Sequence, residues 1–143
     1  MTLDLGAINW LAVFSSMVVY VILGAIVLAP QLPTGKAWMA AAGYEMPGSS
    51  GNAPGLLYYI VPGVGAFVAC LATALLVQAT GTDTLSEGVT LGLVLGIGFA
   101  GAVLLVTAAF EINKPSRYVW GLIDASYHVL GILIASVILA LWP

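Results

Sequence analysis

The sequence predicts an all-α fold: an integral membrane four-helix bundle with a short interfacial helix in its first loop. Three observations lead there. Charged residues make up only 6% of the 143 residues and hydrophobic ones 62%, against roughly a quarter charged in a water-soluble domain. Mean hydropathy is +1.12. Four apolar stretches, at about residues 7–29, 55–79, 88–110 and 119–142, are each long enough to cross a hydrocarbon core of about 30 Å. No water is available there to satisfy the backbone, so each stretch is a helix or part of a closed barrel. Runs such as Ala102-Val103-Leu104-Leu105-Val106 lack the period-two alternation of a barrel strand. The expected organisation is one membrane domain over residues 1–143. Three basic residues and a net charge of −3 exclude a nucleic-acid partner.

The first stretch begins after Met1-Thr2-Leu3-Asp4, which has an acid where a signal peptide carries basic residues. It is therefore read as a retained span. The loop that follows, residues 30–54, contains a second, shorter helix over 35–42, capped by Thr34 and ended by Gly43. Lys36, Trp38 and Met39 suit that helix to the headgroup level. Residues 47–54 read as irregular loop. The second span has Pro62 near its start. The connections at 80–87 and 111–118 are short, so spans two and three, and three and four, should be antiparallel neighbours. Cys70 stands alone and suggests packing only.

Orientation follows from the basic residues. Lys36 lies in the first loop; Lys114 and Arg117 lie in the third. These loops share one side, expected to be the cytoplasmic one, which leaves both termini on the other.

Lipid is as apolar as leucine, so the spans should associate through small residues. Gly88, Gly92, Gly96 and Ala100 recur at four-residue spacing on the third span, on a flank that also takes in Thr107 and Glu111. The fourth offers Gly121, Asp124, Ala125, His128, Gly131 and Ala135. Facing these two stripes across the hairpin is the natural solution, with intramolecular packing preferred to a homodimer seam.

Ionisable groups inside a span cost about 2.5–3.5 kcal/mol at its centre, so each needs a reason. Asp124 should lie ~8 Å deep and His128 about 13 Å, four residues apart on one face and able to hydrogen-bond. Glu111 should close the third span, paired with Lys114 or Arg117. Three readings of Asp124 and His128 stay open. They form an interhelical polar clamp, with His128 bonded to a backbone carbonyl, Asn9 or Ser15; or they handle protons or a polar solute in a carrier or channel; or His128 ligates a haem or chlorophyll. One histidine with carboxylates is a poor zinc set. No Ser-His-Asp arrangement, P-loop or dinucleotide fingerprint is present.

Several of these residues carry a resemblance. Asn9-Trp10-Leu11-Ala12-Val13, Gly35-Lys36-Ala37-Trp38-Met39 with Gly43, Gly92-Leu93, Phe110-Glu111 before Pro115, and Ile123, Ala125, Tyr127-His128 with the apolar run to Trp142 resemble a bacterial membrane family known only as a domain of unknown function. The resemblance covers essentially the whole chain and implies a small four-helix bacterial membrane protein, without a reaction. One departure is Val27-Leu28-Ala29 before Pro30, where the family pattern has an aromatic pair, and Pro33 adds a residue. The functional expectation is a non-enzymatic protein of the bacterial inner membrane. It acts by packing in the lipid bilayer with other membrane subunits or with itself, and needs no cofactor or metal.

Overall fold

The computed structural model describes residues 4–45 and 55–142; the expected irregular loop at 47–54 lies outside the described residues, as do residues 1–3. Four helices are long and apolar enough to span a membrane: α1 (Trp10–Val27), α3 (Leu57–Thr80), α4 (Leu85–Phe110) and α5 (Arg117–Leu141). A ten-residue helix, α2 (Pro33–Ala42), lies between the first two. Among the described residues there is no strand. The chain is a multi-pass, all-α membrane protein.

The helix ends show local chemistry that hydropathy alone does not resolve. The first span begins at Trp10, because the preceding Leu5–Ala7 forms a 3₁₀ turn and Asn9 caps α1 by accepting from the Ala12 N–H at 3.1 Å. In α2, Pro33 occupies the first turn and Leu32 the cap position, so Thr34 sits inside the helix instead of capping it. Proline suits that place, where its missing N–H costs nothing. Gly43, at φ 76°, terminates α2. At α4 the Thr84 hydroxyl and the Glu87 carboxylate form a reciprocal capping box, which starts the helix at Leu85 and draws Glu87 out of the loop.

The last helix is the hub: α1, α2, α3 and α4 all contact α5. The glycines of α4 are the closest approach. A Cβ on Gly88 would sit 3.0 Å from the Ala140 methyl, on Gly92 2.7 Å from Leu133 Cα, and on Gly96 3.1 Å from Val129 Cα. The expected glycine flank is thus used within the chain. Its partner surface, however, is Val129, Leu133, Ser136, Val137 and Ala140, not the small-residue stripe expected to face it.

Ala100 does not continue the flank. Residues Gly96–Gly101 form a π-helical turn, which inserts one extra residue into the register. Gly101, five residues after Gly96, takes the place facing Val129, and the buried Ala108 follows. A Cβ on Gly121 would collide with the Ala108 methyl. Ala100 is turned aside, and Thr107 is exposed.

A second expectation also fails. The turn between α3 and α4 is short, yet these two helices make little contact with each other. Both lean on other helices, α3 on α1 and α5, and α4 on α5. A short connection brings helix ends together but does not force the rest of the helices to touch.

Gly92→Ala should lower thermal stability in detergent by about 1–3 kcal/mol, because the new methyl meets backbone that has no side-chain freedom to yield. Gly65→Ala, where a Cβ meets nothing within 4 Å, should stay within about 1 kcal/mol of the parent. Equal losses at both positions would show that the glycines act through backbone flexibility and not through close approach.

Candidate functional site

Two aromatic side chains cross the α1–α5 interface in opposite directions. Tyr20 of α1 lies over Gly131, where a Cβ would strike its ring. Tyr127 of α5 lies over Gly24, whose Cβ would stand 3.3 Å from Tyr127 Cε2. Each helix supplies one ring and, four residues on, one notch: Tyr20 with Gly24, and Tyr127 with Gly131. In antiparallel helices this Tyr-x-x-x-Gly spacing is self-complementary. The spacing is legible in the sequence as a repeat, Tyr20 to Gly24 and Tyr127 to Gly131, but nothing local to either helix marks the other as its partner.

His128 sits beside this exchange, at the middle of α5. Its Nδ1 is 2.6 Å from the Tyr20 hydroxyl. Its ring lies edge-on to Tyr20, with centroids 5.7 Å apart, and tilted over Tyr127 at 4.1 Å. The partner of His128 is therefore Tyr20, not Asn9, Ser15 or a backbone carbonyl of a neighbouring helix. Asn9 belongs to the far end of the bundle, where its amide caps α1 and reaches the Trp142 carbonyl at 3.5 Å.

Asp124 turns elsewhere. It is buried, 7% exposed, and its Oδ1 accepts a hydrogen bond from the Trp38 indole Nε1 at 3.0 Å. Asp124 and His128 thus share one helix but bond to different neighbours, and among the described residues no hydrogen bond joins them. A proton relay along this face of α5 would need that link. The side chain that fills the Asp124 site comes from α2, a helix expected only to float at the interface.

The placement of Trp38 depends on two close approaches. Gly35 lies against the end of α1, where a Cβ would be 2.8 Å from the Leu28 carbonyl carbon and would collide with the Ala29 carbonyl. Further along, the Ser116 N–H donates to the Ala41 carbonyl at 3.1 Å, and Pro115 packs on Gly43. Each residue of the Gly-Lys-x-Trp-Met element has its own physical place. Gly35 permits the contact with α1, Trp38 reaches Asp124, Met39 is buried, and Lys36 points outward.

Glu111, Lys114 and Arg117 gather around the same end. Lys114 lies 3.8 Å from Glu111, as the pairing expected for Glu111, and over the rings of Trp120 at 4.4 Å and Tyr44 at 5.4 Å. Tyr44 in turn meets Trp38 edge-on, with centroids 5.2 Å apart. Arg117 donates to the Ala109 carbonyl at 2.9 Å and covers Tyr118. Thus Lys114 closes a cluster of aromatic rings above Asp124, and Arg117 satisfies a carbonyl at the end of α4 that the helix leaves open.

A groove of about 440 Å³ opens sideways between α3 and α4. It exists because those helices make little contact with each other. Ala72 and Leu76 form one wall, Phe99 and Val103 the other, and His128 and Ile132 the floor. The π turn of α4 carries Phe99 into that wall. Among the described residues, no group of three or more His, Cys, Asp or Glu side chains is arranged to hold a metal ion.

Trp38→Phe should cost about 1–3 kcal/mol in detergent melts, since it leaves the buried Asp124 carboxyl without its donor. Asp124→Asn retains an acceptor oxygen and should cost less. In a double-mutant cycle, Trp38→Phe and Asp124→Ala, which removes the acceptor, should couple by about 0.6 kcal/mol and not above about 1.7 kcal/mol, the range of interhelical hydrogen bonds in membranes. Additive losses would mean that Trp38 stabilises by packing alone.

No curated protein and no solved structure matches the chain significantly. Residues 11–140 match a family model described as a protein of unknown function, DUF1761. That span takes in both Tyr-x-x-x-Gly pairs, the α2 element and every residue around Asp124 and His128. The chain belongs to the DUF1761 family of proteins of unknown function, as a four-span member whose last helix binds all the others.

Proposed function

We propose that this protein is a non-enzymatic component of the bacterial inner membrane that acts by helix packing, as an accessory subunit of a larger membrane assembly or as a homo-oligomer. The observation that carries this reading is the first half of α3. From Leu56 to Gly65 every described residue but Gly63 is exposed, including Leu57, Tyr58, Tyr59, Val61 and Val64, and a Cβ on Gly63 or Gly65 would meet nothing within 4 Å. A span resting on its own bundle covers one face. This segment covers none until Ala66, so it extends as a free apolar rod with two glycines available for close approach.

The rest of the chain supports the same reading. Gly88, Gly92 and Gly96 of α4, which could have formed a dimer seam, are consumed by α5. Asp124 Oδ1 and His128 Nδ1 of α5 are bonded to Trp38 and Tyr20 within the bundle, which leaves few ionisable groups for chemistry. Lys36, Lys114 and Arg117 all lie at the end of the bundle where α2 docks. On the positive-inside rule that end faces the cytoplasm and both termini face away from it.

Native mass spectrometry of protein gently extracted from its host membrane should show it bound to other polypeptides, or to itself, at fixed stoichiometry. A photo-crosslinking residue at Tyr59 or Val61 should label that partner, while one at Val19 on α1 should label lipid. A monomer that yields only lipid adducts from all three positions would overturn the reading. For orientation, a C-terminal alkaline phosphatase fusion should be active and a C-terminal green fluorescent protein fusion dark; the opposite pattern would invert the topology.

A further inference from the structure

We propose that the groove between α3 and α4 binds a lipid-soluble ligand bearing a ring carbonyl, a quinone by chemical class, and that His128 donates a hydrogen bond to that carbonyl from Nε2. The inference does not depend on the packing reading: it concerns the middle of the bundle, whereas that reading concerns the free half of α3.

The shape comes first. At about 440 Å³, the groove falls within the range of about 300–1,000 Å³ typical of small-molecule sites. It is open toward lipid and lined by apolar side chains, so a ligand would arrive from the bilayer. Two polar side chains line it, Thr73 and His128. The Thr73 hydroxyl already donates to the Ala69 carbonyl at 2.8 Å. His128 is the group left for recognition.

The Tyr20 hydroxyl decides what His128 offers. A phenol has a single proton. If the hydroxyl donates to Nδ1, the contact at 2.6 Å is a short O–H···N bond, and the neutral ring carries its proton on Nε2. If instead Nδ1–H donates, the phenol must place its own proton on the His128 carbonyl at 3.4 Å, at the outer limit of a hydrogen bond. The first arrangement satisfies both groups at good distance. It leaves the proton on Nε2, the ring nitrogen that Tyr20 does not engage, and not the bare nitrogen that a haem or chlorophyll metal requires.

Depth narrows the ligand further. His128 is central in α5, so the acceptor it binds must sit near the midplane. Phospholipid headgroups and ester carbonyls stay near the interface, roughly 15 Å away for a hydrocarbon core of about 30 Å. A weakly polar ring with carbonyl oxygens and an apolar tail is stable at that depth. Tyr20 is then a positioning residue: it sets the tautomer without touching the ligand.

The chain contains a single histidine, so labelling with ¹⁵N-histidine isolates this site. Full-length protein in lipid nanodiscs should show a protonated Nε2 and an unprotonated Nδ1. Decylubiquinone should shift the Nε2 resonance and saturate near one ligand per chain. Ala72→Trp and Val103→Trp, at exposed positions on opposite walls, should each abolish that shift while leaving the helical circular dichroism intact. Either variant suffices if the other does not fold. Tyr20→Phe should convert the single tautomer into a mixture. A proton on Nδ1 in the ligand-free protein, an absence of saturable shift, or a shift that survives the wall substitutions would each overturn the proposal. A Soret band on adding haem, with Nε2 unprotonated, would overturn it in favour of metal ligation.

Discussion

Helices in a bilayer gain almost nothing by turning apolar side chains away from lipid, so the bundle depends on how closely α5 can approach its neighbours. Dispersion falls steeply with distance, and a gap of even half an ångström forfeits much of each contact. Glycine is the means on both sides of α5. On α4, three glycines bring backbone against Val129, Leu133 and Val137. Against α1, the tyrosine rings fill one notch on each helix, Gly24 of α1 and Gly131 of α5. One interface brings two backbones together, and the other fits a ring into each helix.

The polar residues follow from that arrangement. Once α5 is central, its buried Asp124 and its half-buried His128 must find partners on whatever helix stands beside them. Asp124 meets α2 and takes the Trp38 indole; His128 meets α1 and takes the Tyr20 hydroxyl. These bonds tie two different helices to α5 at two depths. An ionisable group in a span is costly alone, and each here is matched by a donor or acceptor from another element. The short helix α2 is consequently part of the bundle's polar structure.

The π turn links the packing to the groove. An ordinary α-helix would have carried Ala100 and Thr107 onto α5 and kept the four-residue spacing. The extra residue lets Gly101 and Ala108 face α5 instead, and it carries Phe99 toward the gap beside α3. Since α3 leans on α1 and α5, no described residue closes that gap. A single inserted residue thus preserves the tightest interface of the protein and helps shape an open site at mid-membrane depth.

What the sequence determined by itself is what depends on local composition and chain length. The membrane setting, four spans, a short helix near Trp38, the intramolecular use of Gly88, Gly92 and Gly96, and a basic partner for Glu111 from the loop after it all follow from solvation and from spacing along one helix. What only the tertiary structure decided is which surfaces meet. The partner of Asp124 is 86 residues away and that of His128 108, and no local spacing encodes such pairings. The displacement of Ala100 arose because glycine-rich Gly96–Gly101 accommodates a π turn whose register depends on the facing helix. The separation of α3 from α4 has the same origin. A short turn fixes where two helices begin, whereas their packing is settled by competition among all the faces available in the bundle.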